Sequence, residues 1–381
     1  MITVDYLWID NDIALAQLCE NLSQQPAIAL DTEFVRTRTY FAHIGLLQIA
    51  DANGVYLIDP LAITNTQPLA DLLINPAIVK VVHACSEDLE VFQTALGVLP
   101  VTLFDTQIAA GFAGYGASIG YANLLREVEG VDIPKHETRS DWLQRPLSDS
   151  QLSYAALDVV YLLGLYRTLV ETLQRSQRVS WVESDCLAII NKLRNTHHDE
   201  QYYLRIKSAW KLNPDQLAVL ICLCRWRERQ ARERDLPRGR VIKDTSLFDI
   251  ALKLPTDFNQ LKRIQDIHYR LVDEFGQLLL SMISDTLDDQ ADYPEALARP
   301  LQGEQNVLLK KLKQIVKDKA EAIDLPQELL VRKKDYEALI RSKIGVAGTY
   351  ALPQTLTDWR QAVIGDKLLA YLQSSPTGES L

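Results

Sequence analysis

A chain of 381 residues is too long for a single hydrophobic core and predicts two or three domains. Its 47% apolar and 24% charged content is that of a globular protein, and it contains no uninterrupted apolar run of the ~18 residues a membrane helix needs. The net charge of −10 is unevenly spread, with residues 1–180 carrying −11 and the rest +1. That excludes a uniformly basic nucleic-acid binder but allows an acidic, cation-loaded domain joined to a separate binding domain.

The chain opens with MITVDYLWIDND, which has neither a basic start nor a long apolar stretch, so a cytoplasmic protein is expected. Extended apolar runs follow at Val4–Ile9, Ala27–Val35, Gly45–Ala50, Val55–Ile58, Val79–His83 and Val101–Phe104. Helical spacing appears at Ile13–Leu22, Glu87–Leu96 and Thr106–Phe112. The DANG turn between two apolar runs reads as a hairpin, so the sheet of this α/β region should be mixed. A long helix closes it in LSDSQLSYAALDVVYLLGLY, where Ser148 and Gln151 have the spacing of a capping box.

Beyond about residue 195 only helical patterns remain. DLPRGRVIKDTSLFDIA from Asp235 and DLPQELLVRKKDYEALI from Asp324 resemble each other, as do the later TDF at Thr256 and TDW at Thr357. Two copies of one small helical module are predicted, joined by the acidic, proline-punctuated SDTLDDQADYPEALARP. The expected boundaries are 1–195, 205–288 and 296–376. The first ~200 residues read as a self-sufficient α/β pattern. Cys19, Cys85, Cys186, Cys222 and Cys224 have no C-x-x-C or zinc-type spacing, which fits core thiols in a reducing compartment.

Asp31 and Glu33 lie one residue apart in the second run, so in a strand they point the same way and repel, while Thr32 points opposite. Asp88 follows a buried-strand pattern at the start of a helix, where a cap or dipole role is the plain alternative. Tyr154 and Asp158 are four residues apart on one side of the last α/β helix. In this order the residues, with ALDTEFVRTRTY, HACSEDLEVF, DTQIAA, DWLQRPLS and YAALDVVYLL, resemble the DEDD superfamily of 3′→5′ exonucleases, tyrosine subgroup. Within it they resemble the bacterial ribonuclease D family. The resemblance spans nearly the whole chain, and the repeated helical modules resemble that family's two HRDC domains. One departure is FAHIG at Phe41–Gly45, where the family often has a proline.

The resemblance implies a ribonuclease H-like mixed-sheet exonuclease domain followed by two all-α modules. It implies a metal-dependent 3′→5′ exoribonuclease releasing 5′-mononucleotides, acting on RNA and particularly on tRNA precursor 3′ ends, with no membrane and no obligate protein partner. A DNA exonuclease of the same chemistry and an inactive RNA-binding adaptor are the alternatives. Four carboxylates converging within ~4 Å would repel by about 4 kcal/mol per pair at an effective dielectric of 20. Divalent cations remove that repulsion, and all-oxygen ligation selects Mg²⁺ or Mn²⁺. Two ions held by Asp31, Glu33, Asp88 and Asp158 are therefore expected, with Tyr154 orienting the attacking water.

Other residues carry open readings. Asp105 either caps the next helix or touches the site, and His83 reads as a core histidine. Trp142, after Asp141 in SDWLQRP, either stacks on a terminal base or anchors its loop. Gln48 is a candidate RNA contact. Arg225, Arg229 and Arg232 share a helix face that is either salt-bridged to Glu228 or contacts phosphate.

Overall fold

The computed structural model describes residues 4–134, 140–195, 201–289, 294–343 and 349–374. These fall into two compact units. One comprises residues 1–35, 43–194 and 301–381; the other comprises 36–42 and 195–300.

The first unit is built on β1 (Tyr6–Ile9), α1 (Asp12–Leu22), β2 (Ala27–Val35), β3 (His43–Ala50), β4 (Val55–Ile58), α2 (Gln67–Ile74), β5 (Val79–Val82), α3 (Ser86–Leu96), β6 (Leu103–Asp105), α4 (Thr106–Phe112) and α5 (Tyr121–Glu129). Among the described residues the six strands form one sheet in the order β1-β4-β3-β2-β5-β6. The β2–β3 and β3–β4 pairs are antiparallel and the rest parallel, so the sheet is mixed as its hairpin signal predicts. The central strand β2 carries Asp31 opposite Gln48 and Glu33 opposite Leu46, and the register slips just after, between Glu33 and Phe34.

The long helix of the sequence reading is two, α6 (Asp149–Val160) and α7 (Leu162–Arg175), separated at Tyr161, and α8 (Val179–Arg194) follows. The capping box forms: Ser148 Oγ accepts the Gln151 N–H and Gln151 Oε1 accepts the Ser148 N–H at 2.9 Å. Anchored there, α6 packs across β2, β3 and β4 and brings Tyr154 and Asp158 to the face bearing Asp31 and Glu33.

The second unit is helical: α9 (Pro214–Glu233), α10 (Arg238–Val241), α11 (Asp244–Lys253), α12 (Phe258–Leu261) and α13 (Tyr269–Asp288). The connection between β2 and β3 belongs to this unit. Tyr40 is buried in it, with its hydroxyl donating to Glu228 and accepting from Arg238 Nη2 at 2.9 Å and Arg232 Nε at 3.1 Å. Asp235 Oδ1 accepts the backbone N–H groups of Tyr40 and Phe41 at 2.9 and 3.0 Å.

The first unit is completed by α14 (Glu304–Ala322), α15 (Gln327–Leu330), α16 (Lys333–Arg341) and α17 (Asp366–Ser374). Their buried side chains are continuous with the core of the sheet domain. Trp359 stacks on Trp181 at 4.2 Å and 8°. Arg360 forms a bidentate pair with Asp185, both contacts 2.7 Å. Arg178 donates to the carbonyls of Phe112 and Ile323 at 2.9 and 2.5 Å. A Cβ on Gly111 would stand only 3.0 Å from Leu329. The last helical module thus packs on the α4–α8 surface of the α/β region within one compact unit.

Candidate active site

Period two on β2 turns Asp31 and Glu33 toward α6, and Asp158, in the last turn of α6, meets them there. One carboxylate oxygen from each of the three lies within 4.8 Å of the others. Between Asp31 and Glu33 in sequence, Thr32 donates its hydroxyl to Asp88 Oδ1. Asp88 thus stands beside the three-acid cluster, held by Thr32, and its charge is felt by Asp31.

Asp105 resolves as a cap. Its Oδ1 accepts from the N–H groups of Gln107 and Ile108 at 2.8 and 3.3 Å, which starts α4. The same carboxylate accepts from Ala84 and Cys85 at 3.1 and 2.9 Å, in the turn that leads into α3 and Asp88. Ala84 has φ of 59°, a left-handed conformation costly for a residue with a Cβ, and these bonds help to hold it. Asp105 therefore shapes the site without joining the acids.

All four acids have raised pKa values, and burial is the first cause in each case. Asp31 is pushed well above the carboxylate range by burial and then by Asp88, Asp158 and Glu33. Glu33 rises to about 9 through burial, Asp158 and Asp88. Asp158 rises to about 7 and Asp88 to about 6, each with burial leading, while the Tyr154 and Thr32 hydroxyls respectively oppose the rise. None of the leading influences on these four acids is a cationic side chain. A half-buried, oxygen-only set of mutually repelling acids fits divalent metal ions.

Tyr154 donates its hydroxyl to Asp158, and its own pKa is driven far up by burial, then by Asp158, Glu33 and Asp31. Its ring lies 6.2 Å from that of Trp142, tilted 38°. Trp142 is 3% exposed, which leaves little of its ring open for a base to stack on. Asp141 orders the same loop by accepting the Leu143 N–H at 3.0 Å. Gln48 is fully buried, and neither end of its amide has a hydrogen-bond partner. As the cross-strand partner of Asp31, Gln48 lies on the same face of the sheet, packed beside the acids and not on an open surface. His83 is half-buried with Nδ1 2.9 Å from Thr106 Oγ1, and burial lowers its pKa, consistent with a core histidine.

The arginine face of α9 is only partly as expected. Arg225 and Arg229 are exposed, while Arg232 turns inward to Tyr40. Glu228, expected at the surface beside Arg232, is fully buried and paired with Arg238 at 2.6 Å; Arg232 approaches it only to 3.9 Å. The sequence reading gave no role to Thr32, Arg238 or Tyr121. Tyr121 donates to the Leu157 carbonyl at 3.0 Å, just before Asp158.

Residues 6–174 match the 3′-5′ exonuclease family, residues 216–283 the HRDC domain, and residues 305–368 the C-terminal HRDC domain of ribonuclease D. The chain is 44% identical over 369 residues to ribonuclease D of Pseudomonas paraeruginosa, covering 97% of this chain and 98% of that one. The chain belongs to the ribonuclease D family. The crystal structure of Escherichia coli RNase D, an exoribonuclease involved in structured RNA processing, superposes with a TM-score of 0.90. It is 35% identical, over 98% of this chain and all of that one. The catalytic core of RRP6 from Trypanosoma brucei matches at 26% identity with a TM-score of 0.58, over 76% of this chain and 82% of its own. This chain is accordingly a 3′→5′ exoribonuclease. Among the described residues no helix is long and apolar enough to cross a membrane.

Proposed function

We propose that Asp31, Glu33, Asp88 and Asp158 hold two divalent cations, Mg²⁺ or Mn²⁺, and that the enzyme releases 5′-mononucleotides from the 3′ ends of tRNA precursors and other small structured RNAs. The observation that carries this reading is the half-buried acidic cluster itself, with one oxygen from each of three carboxylates within 4.8 Å of the others and a fourth acid, Asp88, whose charge Asp31 feels. Cations bound there would acidify water and offset charge on the phosphate and leaving oxygen.

The remaining work falls to the chain. The raised pKa of Tyr154 keeps its proton on the phenol oxygen at neutral pH, so it serves as a hydrogen-bonding group that orients the attacking water, not as a free base. Asp158 receives that proton in a hydrogen bond and so couples the orienting group to the ligand set. Thr32 keeps Asp88 from swinging away from Asp31. Arg225 and Arg229, exposed on the first HRDC module, supply phosphate contacts for the body of the RNA.

The test is single-turnover trimming of a 3′-extended tRNA, with Mg²⁺, with Mn²⁺ and with chelator, for the wild type and for Asp31→Asn and Asp158→Asn. Each substitution removes one anionic ligand, and we expect trimming to be lost in both variants and in chelator while the circular dichroism spectrum is kept. Trimming that persists in chelator ends the metal reading; a tRNA left intact while an unstructured RNA is degraded ends the substrate assignment.

A further inference from the structure

The loop between α5 and α6 contains one arginine with every N–H donor engaged. Arg145 Nε and Nη2 form a fork on Asp59, at 2.8 and 2.6 Å. Nη2 also donates to the Gly45 carbonyl at 2.6 Å, and Nη1 donates to the carbonyls of Trp142 and Gln144 at 3.0 and 2.8 Å. Asp59 directly follows β4 and Gly45 lies within β3, so one guanidinium fastens residues 142–145 to two adjacent strands. Asp59 is itself fixed, its Oδ1 accepting the Leu61 N–H and its own N–H donating to Ile9, at 3.0 and 2.8 Å.

The fastening requires a glycine. A Cβ on Gly45 would stand 2.4 Å from the Trp142 carbonyl oxygen and 2.7 Å from Trp142 Cβ, closer than atoms can approach. Trp142 is thus laid on β3, and its buried indole faces the ring of Tyr154. At its far end the loop is tied to the helix bearing Tyr154, because Gln151 Nε2 donates to the Asp141 carbonyl and Gln151 Oε1 accepts from Gln144 Nε2, both at 3.2 Å.

We propose that Arg145 is a positioning residue for the reaction: with Gly45 and Asp59 it sets Trp142, and Trp142 sets the ring and hydroxyl of Tyr154. This rests on the role assigned to Tyr154 under Proposed function. The fork matters more than the charge, because a lysine keeps the cation but cannot reach Asp59, Gly45, Trp142 and Gln144 together. A small displacement of an orienting group lowers the rate at saturation without weakening RNA binding.

The experiment is a double-mutant cycle on the full chain with a short 3′-labelled oligoribonucleotide, comparing wild type, Arg145→Lys, Tyr154→Phe and the double variant by saturating single-turnover rate and half-saturating RNA concentration. Tyr154→Phe should be slower by about 10²-fold, and Arg145→Lys by on the order of 10-fold, with half-saturation unchanged. The double variant should be no slower than Tyr154→Phe beyond about twofold, since Arg145 acts through the missing hydroxyl. Asp59→Asn, which weakens the same fork from the other side, repeats the cycle if Arg145→Lys does not fold. Rates that multiply in the double variant, an Arg145→Lys rate equal to wild type, or a loss confined to half-saturation would each overturn the inference. A wild-type rate in Tyr154→Phe would instead remove the role given to Tyr154, and the inference with it.

Discussion

At the scale of single residues, the acids of this site oppose the fold that holds them until cations arrive. Each has a folded-state pKa above its unfolded value near 4. Such a group contributes stability below the unfolded pKa and loses it as pH rises through the folded pKa, here about 6 for Asp88, 7 for Asp158 and 9 for Glu33. The metal-free protein should therefore melt lower at pH 9 than at pH 5, by on the order of several degrees. Glu33→Gln should recover part of that loss, and Mg²⁺ or Mn²⁺ at pH 8 should raise the melting temperature of the wild type by binding only the folded state. Scanning calorimetry in chelator across this range decides it: a melting temperature that does not fall from pH 5 to pH 9 means that the acids find charge compensation within the protein.

At the scale of elements, what the sequence reveals follows the reach of each signal. The alternation in Ala27–Val35 places β2 and its two carboxylates correctly, and Ser148 with Gln151 marks the start of α6, because both signals act within a few residues. The helix α2 escapes this reading, since QPLADLLI is a short, largely apolar segment in which periodicity does not separate helix from strand. Partners distant in sequence escape it altogether. Glu228 and Arg232 have the spacing of an exposed ion pair, yet Tyr40, 188 residues from Glu228, draws both inward. Asp88 likewise owes its position to Thr32, 56 residues away. This leaves Arg225 and Arg229 as the outward cations of the predicted face. Replacing both with alanine should weaken binding of a structured RNA and lower the slope of log affinity against log salt by about 1 to 2. Filter binding at several salt concentrations measures it, and an unchanged slope would place these arginines on a merely solvated face.

At the scale of the whole molecule, the last module is a structural part of the catalytic unit, although its sequence repeat suggests a separate appendage. Removing residues after 300 would uncover Trp181, deprive Gly111 of its contact with Leu329 and leave Asp185 without Arg360. Asp185 and Arg360 are 7% and 8% exposed, and breaking a pair so buried by removing one partner costs about 3 to 5 kcal/mol. At roughly 3 °C per kcal/mol the ion pair alone is worth ~10 °C of melting temperature, before any loss of apolar burial. A chain ending at residue 300 should thus melt well below the full-length protein and expose apolar surface to a hydrophobic dye. Arg360→Met, which keeps the rest of the module, isolates the ion pair. It should lower the melting temperature on that scale while leaving the saturating rate on a short RNA within about twofold at 25 °C, since Arg360 touches none of the four acids and its loss is of stability, not of catalysis. If the shortened chain melts like the full-length protein, the stacked tryptophans and the buried pair are incidental contacts, and the α/β domain stands alone as its sequence suggests.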